Sequence, residues 1–274
     1  MNKKRIEELT ANVGDMALKR RVAYIIEGLE LERGDRILDC GCGDGFYLKT
    51  ISALGPYEIV GFDLNPTSLK TARNYLTEVP LIQGNLYRIP FKENSFNKIF
   101  CSEVLEHIPD DLQALKEIYR ILKPGGKLLV TVPNHHFPFF WDPINWILEK
   151  ILRRHIRSGF WAGIWNEHLR LYVQEEIQDK ITKAGFNVVA TKLITYFCLP
   201  FNHIILNGLK RILLMGLLPE SIRNSGDKFS VNEKKQSQFV RLTYRLLQFF
   251  DRLNDCFPNY KSSVSILVHA VKTE

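Results

Sequence analysis

The sequence predicts an α/β fold with a seven-stranded, mostly parallel sheet and helices on both faces. Two observations carry the prediction. Short apolar, β-branched runs alternate with helical patterns from residue 36 onward, at spacings that suit crossover helices. A glycine-rich turn directly follows the first of these runs, where doubly wound sheets hold their ligands.

Taken in order, residues 3–30 read as one or two helices leading into the domain. Arg36-Ile37-Leu38-Asp39-Cys40 is the first strand, followed by the glycine turn and a helix near 45–53. Residues 58–63 form the second strand. Asn65 then caps a helix that begins at Pro66, where proline's missing N–H is not needed. A short strand lies near 80–84 and the fourth spans 97–102. The helix over 110–122 stops at Lys123-Pro124-Gly125-Gly126, and 127–132 is the fifth strand. A helix near 173–184 ends at Gly185, strand six covers 186–194, and 263–271 alternates and β-branches as the seventh. Two segments, 134–172 and 195–262, interrupt the pattern as helical insertions after strands five and six. All of 1–274 reads as one domain, with 1–34 as its helical lead-in.

The hydrophobic and charged fractions, 45% and 24%, argue against disordered, collagen-like and fully membrane-embedded classes. Five cysteines, two of them inside the glycine turn, make no disulfide framework. The polar start Met1-Asn2-Lys3-Lys4-Arg5 lacks the apolar run of a secretory signal, so a reducing, cytoplasmic setting is expected. The net charge is +7. Residues 139–170 hold five Lys/Arg against three Asp/Glu, and 195–262 hold ten against five, so the two insertions carry the whole excess.

The glycine turn carries the first chemistry. A dinucleotide fingerprint needs a third glycine three positions after the second, and Phe46 stands there. The spacing present is Gly41-x-Gly43-x-Gly45, flanked by Asp39 and Asp44. Those carboxylates would repel a pyrophosphate but suit a ligand bearing an ammonium and a sulfonium. Asp63 ends the second strand eighteen residues past Gly45, where a carboxylate can accept bonds from both hydroxyls of a ribose.

With these residues in place, Ile37-Leu38-Asp39-Cys40-Gly41-Cys42-Gly43-Asp44-Gly45 resembles motif I of the class I S-adenosylmethionine-dependent methyltransferases. Phe62-Asp63-Leu64-Asn65 resembles their ribose-binding segment, and Gln83-Gly84-Asn85-Leu86-Tyr87-Arg88-Ile89-Pro90-Phe91 their adenine-edge segment. The segments 103–110 and 122–128 resemble those after strand four and before strand five. The nearest look is to the small-molecule and lipid branch, exemplified by ubiquinone and menaquinone methyltransferases. The resemblance is strong over about 35–135 and moderate over 166–190. It implies a Rossmann-like sheet whose last strand is antiparallel, S-adenosylmethionine as cofactor, and a cofactor site built from Asp39, Gly41, Cys42, Gly43, Gly45, Asp63, Leu64, Asn85, Leu86 and Glu103. Asn85 departs from the family, which often has Asp there; an asparagine carbonyl can still meet the adenine amino group.

Other candidates each have two readings. No metal is expected, because Cys40 and Cys42 have no second Cys/His cluster at ligand spacing. His107, just past strand four, is the candidate general base; otherwise it packs under the cofactor or orders the next turn. Glu103 and Glu106 either position ligands or face solvent. Trp141, His168, Arg170 and Tyr172 are the candidate acceptor-contacting residues, the alternative for 166–172 being a polar turn that caps the following helix.

The resemblance places both insertions beside the methyl donor. Ile144, Ile147, Leu148, Ile151, Leu152 and His155 share a helical face, with Lys150, Arg153, Arg154 and Arg157 off it and Phe139, Phe140, Trp141 and Trp146 nearby. Phe239, Leu242, Leu246, Phe249, Phe250 and Leu253 repeat at helical spacing among Arg241, Arg245 and Arg252. Such helices either lie in an anionic membrane interface or pack on the domain as a lid. The functional expectation is methyl transfer to an oxygen, nitrogen or carbon of a hydrophobic or lipid-linked acceptor, peripheral on the cytoplasmic membrane face. The rivals are a soluble small-metabolite methyltransferase with a helical lid, an RNA methyltransferase, and a non-catalytic cofactor-binding protein. Nucleic acid is disfavoured because the basic residues interleave with large aliphatics and no RNA-binding module is appended. The sequence specifies no oligomeric state.

Overall fold

A computed structural model of the chain describes residues 3–11, 13–197, 249–256 and 262–273. Seven strands form one sheet: β1 Arg36–Cys40, β2 Glu58–Asp63, β3 Leu81–Gln83, β4 Phe96–Ser102, β5 Leu122–Pro133, β6 Asn187–Ile194 and β7 Ser265–Val271. Their order is β3-β2-β1-β4-β5-β7-β6. All pairs among β1–β5 are parallel, and β7 runs antiparallel to both β5 and β6. The order reverses between β1 and β4, which opens a crevice at their carboxyl ends.

The central strands are buried on both faces, and their side chains alternate between two cores, while the edge strands β3 and β6 are partly exposed. Leu38, Cys40, Ile99, Cys101, Leu128 and Val130 face helices α5 (Asp111–Ile121) and α7 (Gln174–Lys183). Ile37, Phe100 and Leu129 face helices α2 (Met16–Leu29) and α3 (Phe46–Ser52). The lead-in is therefore part of the core: Val22, Ile25, Ile26 and Leu29 of α2 are fully buried. A shorter helix, α1 (Lys3–Leu9), precedes it, and α4 (Pro66–Arg73) follows β2. Asn65 caps α4 as expected, its side chain accepting the Thr67 and Ser68 N–H groups.

The fifth strand starts five residues earlier than the sequence suggests. Leu122 is fully buried and pairs with Phe96 across a bulge, while Gly125 N–H and Gly126 O bond to Lys272. Pairing with the residue after the last strand thus recruits a stretch that reads locally as a turn.

The first insertion is built on helix α6 (Pro143–Leu152) and a buried polar pair at its start. Asn145 Nδ2 donates to Asp142 and to the carbonyls of Trp161 and Ala162, and Asn145 Oδ1 accepts from Ile156 N–H. Phe137, Trp141, Ile164, Trp165 and Leu171 form a satellite core with Met16, Ala17 and Val264. Of the second insertion, residues 249–256 are helical. Asp251 and Asp255 pair with Arg20 of α2, and Phe250 packs against the satellite core. Phe239, Arg241, Leu242, Arg245 and Leu246 lie outside the described residues. Among the described residues, no helix is long and apolar enough to cross a membrane.

Candidate active site

The carboxyl ends of β1, β2 and β4 and the start of α4 enclose a cleft of about 590 Å3. Its floor is the glycine turn. Gly41 and Cys42 N–H both donate to the Phe62 carbonyl, at 2.7 and 3.1 Å, which folds the turn against the end of β2. Gly43 N–H donates to Asp63 Oδ2 and Asn65 N–H to Asp63 Oδ1, each at 2.7 Å. Gly41 has φ +85°, and a Cβ there would stand 2.3 Å from Val104 Cγ2 on the cleft wall. No side chain fits at that point. Gly43, at φ +52°, opens directly on the cleft, with nothing within 4 Å of its Cβ position.

Asp63, Leu64, Asn85, Leu86, Glu103 and His107 line the same space, so with Gly41 and Gly43 eight residues expected at the site converge on it. Asn85 Oδ1 also accepts the Tyr87 N–H at 2.9 Å, which shapes the segment beside the cleft. Three expected cofactor contacts lie elsewhere. Asp39 is buried beneath the turn, where burial, and then the charges of Asp63 and Asp44, push its carboxyl well above the usual range. Cys42 points back into the core near Leu48 and Gly61, and burial raises its thiol. Gly45 heads α3, packed against Leu76 and Ala72.

The acceptor-side candidates separate in the same way. Trp141 belongs to the satellite core. Arg170 pairs with Asp111 at 2.8 Å, Tyr172 is buried with its hydroxyl 2.6 Å from the same carboxylate, and Lys180 completes the group. Arg170 and Tyr172 therefore anchor the chain to the head of α5 and do not enter the cleft. The segment does not cap the following helix either: α7 starts after Val173 with no side-chain cap.

His168 does approach. Leu169 N–H donates to the Glu106 carbonyl at 2.9 Å, which lays the segment along the 3-10 turn Leu105–His107 that follows β4. The His107 and His168 rings meet edge to face, with centroids 4.8 Å apart. Burial, and then His107, push His168 down to about 4. His107 Nδ1 lies 3.0 Å from the Glu167 carbonyl, which can only accept. Nδ1 therefore carries a proton, and the neutral form of the ring is the tautomer with its lone pair on Nε2.

Glu106 does not face solvent. It is fully buried, its carboxyl pushed well up by burial and by Glu103. Glu103 takes a left-handed backbone, φ +54°, and its Oε2 is 3.4 Å from Arg21 of α2. A non-glycine residue held there is strained by about 1–3 kcal/mol and persists only where its surroundings fix it. Sequence patterns did not show Arg21, Val104, Ile108 or Glu167 at the site. Val104 and Ile108 read as ordinary apolar residues, and only the fold brings Arg21 and Glu167 alongside.

The chain's likeness to known proteins matches this geometry. A family model described as a methyltransferase domain matches residues 38–130. A demethylmenaquinone methyltransferase of Listeria monocytogenes is 36% identical over 178 residues, covering 59% of this chain and 73% of that protein. The chain belongs to the class I S-adenosylmethionine-dependent methyltransferases. A ubiquinone biosynthesis O-methyltransferase of Xanthomonas oryzae is 29% identical over 191 residues, 57% of this chain and 78% of that one. A solved phosphoethanolamine N-methyltransferase 2 of Haemonchus contortus, bound to S-adenosylmethionine, shares the fold at 21% identity and a TM-score of 0.56, covering 93% of this chain and 53% of that one. S-adenosylmethionine is the methyl donor of this enzyme. Its cleft suits that molecule: a floor of glycine backbone open to the ligand space at Gly43, and carboxylates on the wall for a ligand with cationic groups.

Proposed function

We propose that the enzyme methylates a hydrophobic or lipid-linked acceptor while docked, as a peripheral protein, on the anionic cytoplasmic face of a membrane. One observation carries this reading. On the first insertion, Phe140, Ile151, Leu152 and Trp161 are 54%, 72%, 57% and 49% exposed, beside the exposed cations Lys150, Arg153, Arg154 and Arg157. Large apolar side chains exposed together next to like charges mark an interaction surface, and aromatics with Arg and Lys suit a lipid headgroup layer. The quinone methyltransferases among the relatives act on acceptors of the same hydrophobic kind.

At the site, Asp63 is the partner of the ribose hydroxyls, with Gly41, Gly43, Leu64, Asn85 and Leu86 around the nucleoside. Glu103 faces the cationic end. The cofactor supplies an activated methyl group on a sulfonium, so the protein has chiefly to align the acceptor with it. His107 Nε2 stands on the acceptor side. Flotation with phosphatidylglycerol vesicles tests the docking: the enzyme should rise with them at low salt and detach as salt is added. An enzyme that stays in the soluble fraction at low salt, with a small polar metabolite as its acceptor, would establish the soluble lid reading instead.

A further inference from the structure

We infer that Glu106, His107 and His168 bind one divalent first-row metal ion at the wall of the cofactor cleft. Nothing in the sequence marks the site, because His168 lies sixty-one residues after His107. The fold closes that distance through the Leu169–Glu106 backbone bond. One ligand atom from each residue then lies within 4.8 Å of the others. His107 Nε2 is 3.9 Å and His168 Nε2 3.8 Å from the same oxygen, Glu106 Oε1.

The strongest sign is Glu106 itself. It is fully buried, and neither carboxyl oxygen has a hydrogen-bond donor from another residue. A buried carboxyl with no donor from a neighbouring residue is costly to carry, and such groups call for an explanation. The facing imidazoles do not supply one, since both stand beyond hydrogen-bond distance. They stand at the distance an ion would bridge. Ligand atoms about 2.1 Å from a metal are roughly 3.0–3.4 Å apart at octahedral to tetrahedral angles, so the histidines must each close on Glu106 by about 1 Å or less and the widest separation in the group by at most about 1.8 Å.

The second sign is the orientation of His107. Its Nδ1–H is held by the Glu167 carbonyl, which leaves Nε2 as the nitrogen on the side of Glu106, 3.9 Å from Oε1. Metal-bound histidines are held in this way, by a carbonyl or carboxylate on the other ring nitrogen. Glu167 keeps a left-handed backbone, φ +62°, while presenting that carbonyl. Glu103 adds negative charge nearby, and its buried Oε1 also lacks a partner.

Two imidazoles and one carboxylate suit Mn2+ or Zn2+ better than Mg2+ or Ca2+, which favour oxygen alone. Because His107 lines the cleft, an ion held there would be reached by an acceptor from the cleft. The next step rests on the proposed methyl transfer to a hydrophobic acceptor and narrows the acceptor atom to a hydroxyl oxygen. Bound to the ion, that oxygen gives up its proton to solvent at a lowered pKa. Its electron pair forms the new bond to the methyl carbon, and the carbon–sulfur pair leaves on sulfur as a neutral thioether. His107 then acts as a ligand, in place of the expected base.

The test uses full-length enzyme stripped with a chelator, then titrated by calorimetry with Mn2+ alone and Zn2+ alone, the bound metal being counted by elemental analysis. One equivalent is expected, with affinity at least tenfold weaker in Glu106→Gln and in His168→Ala. S-adenosylmethionine affinity, unchanged in both variants, shows that they fold. If either fails to fold, Co2+ added to wild-type enzyme decides the question, since two nitrogen ligands must shift its visible bands from those of the aqueous ion. Stoichiometric metal absent at millimolar concentration, or folded variants that bind as tightly as wild type, would overturn the site. These readouts need no acceptor. An enzyme that holds the ion but methylates no hydrophobic compound loses only the acceptor reading, and one that methylates such a compound without any ion loses only the metal site.

Discussion

The Gly43 N–H and the Asp63 carboxylate are joined by a 2.7 Å hydrogen bond across the floor of the cleft. The same carboxylate holds Asn65 N–H at the head of α4, so one side chain ties the glycine turn to the neighbouring strand and helix. The side chain serves two purposes: it fixes the turn, and it lines the ligand space.

Asp63→Ala should therefore weaken S-adenosylmethionine binding by about 1–3 kcal/mol, the worth of charge-assisted hydrogen bonds. Titration calorimetry measures it. An effect confined to acceptor affinity would show that the carboxylate does not meet the cofactor.

Gly43→Val should abolish cofactor binding, although open space surrounds the new Cβ. The side chain would project into the ligand space from a left-handed backbone that a β-branched residue resists by about 1–2 kcal/mol. Unchanged affinity in calorimetry would contradict a cofactor cradled on this turn.

Asp111 makes a prediction about pH. Burial alone would raise its carboxyl, but hydrogen bonds from Tyr172, Lys180 and Arg170 outweigh that and hold it below the ordinary value of 3.8. A lowered folded pKa means stability that is fully present above the unfolded value and lost as pH falls through the folded one. Wild-type enzyme should lose this increment below about pH 4. Asp111→Ala should be destabilised by roughly 2–4 kcal/mol at neutral pH, and the gap should narrow in acid. Denaturant melts at pH 7 and pH 3 give the comparison, and a pH-independent difference would contradict it.

The sheet was legible because its signals are local: alternating apolar runs, a proline-started helix behind Asn65, and a stop at Gly185. The cofactor floor was legible for the same reason, since Gly41, Gly43 and Asp63 lie close in sequence and at strand ends. What escaped depends on distance along the chain. Arg170 and Tyr172 look like exposed polar and aromatic residues of a binding loop, yet Asp111, about sixty residues earlier, takes both. Glu106 reads as one more surface acid on a polar turn, yet it is fully buried where 166–170 returns to that turn. Cysteine spacing gives no hint of the Glu106, His107 and His168 cluster, and Cys40 and Cys42 themselves are buried in the core.

Reversing charge on the first insertion tests the membrane face. Each well-placed cation near an anionic surface contributes roughly 1 kcal/mol, so Arg153→Glu with Arg154→Glu should weaken vesicle binding by at least ~2 kcal/mol, about thirtyfold. Both side chains are exposed, so folding should be unaffected. Arg241 and Arg245, the matching positions of the second insertion, lie outside the described residues. Equal flotation of variant and wild type would remove electrostatics from the docking.

The most direct test of the proposed function follows the methyl group. Enzyme, tritiated S-adenosylmethionine and cell extract fractionated into lipids, polar metabolites and RNA would be incubated together, and the label counted in each fraction. Label is expected in the organic-extractable lipid fraction, dependent on Asp63. Label confined to polar metabolites or to RNA would contradict a hydrophobic acceptor.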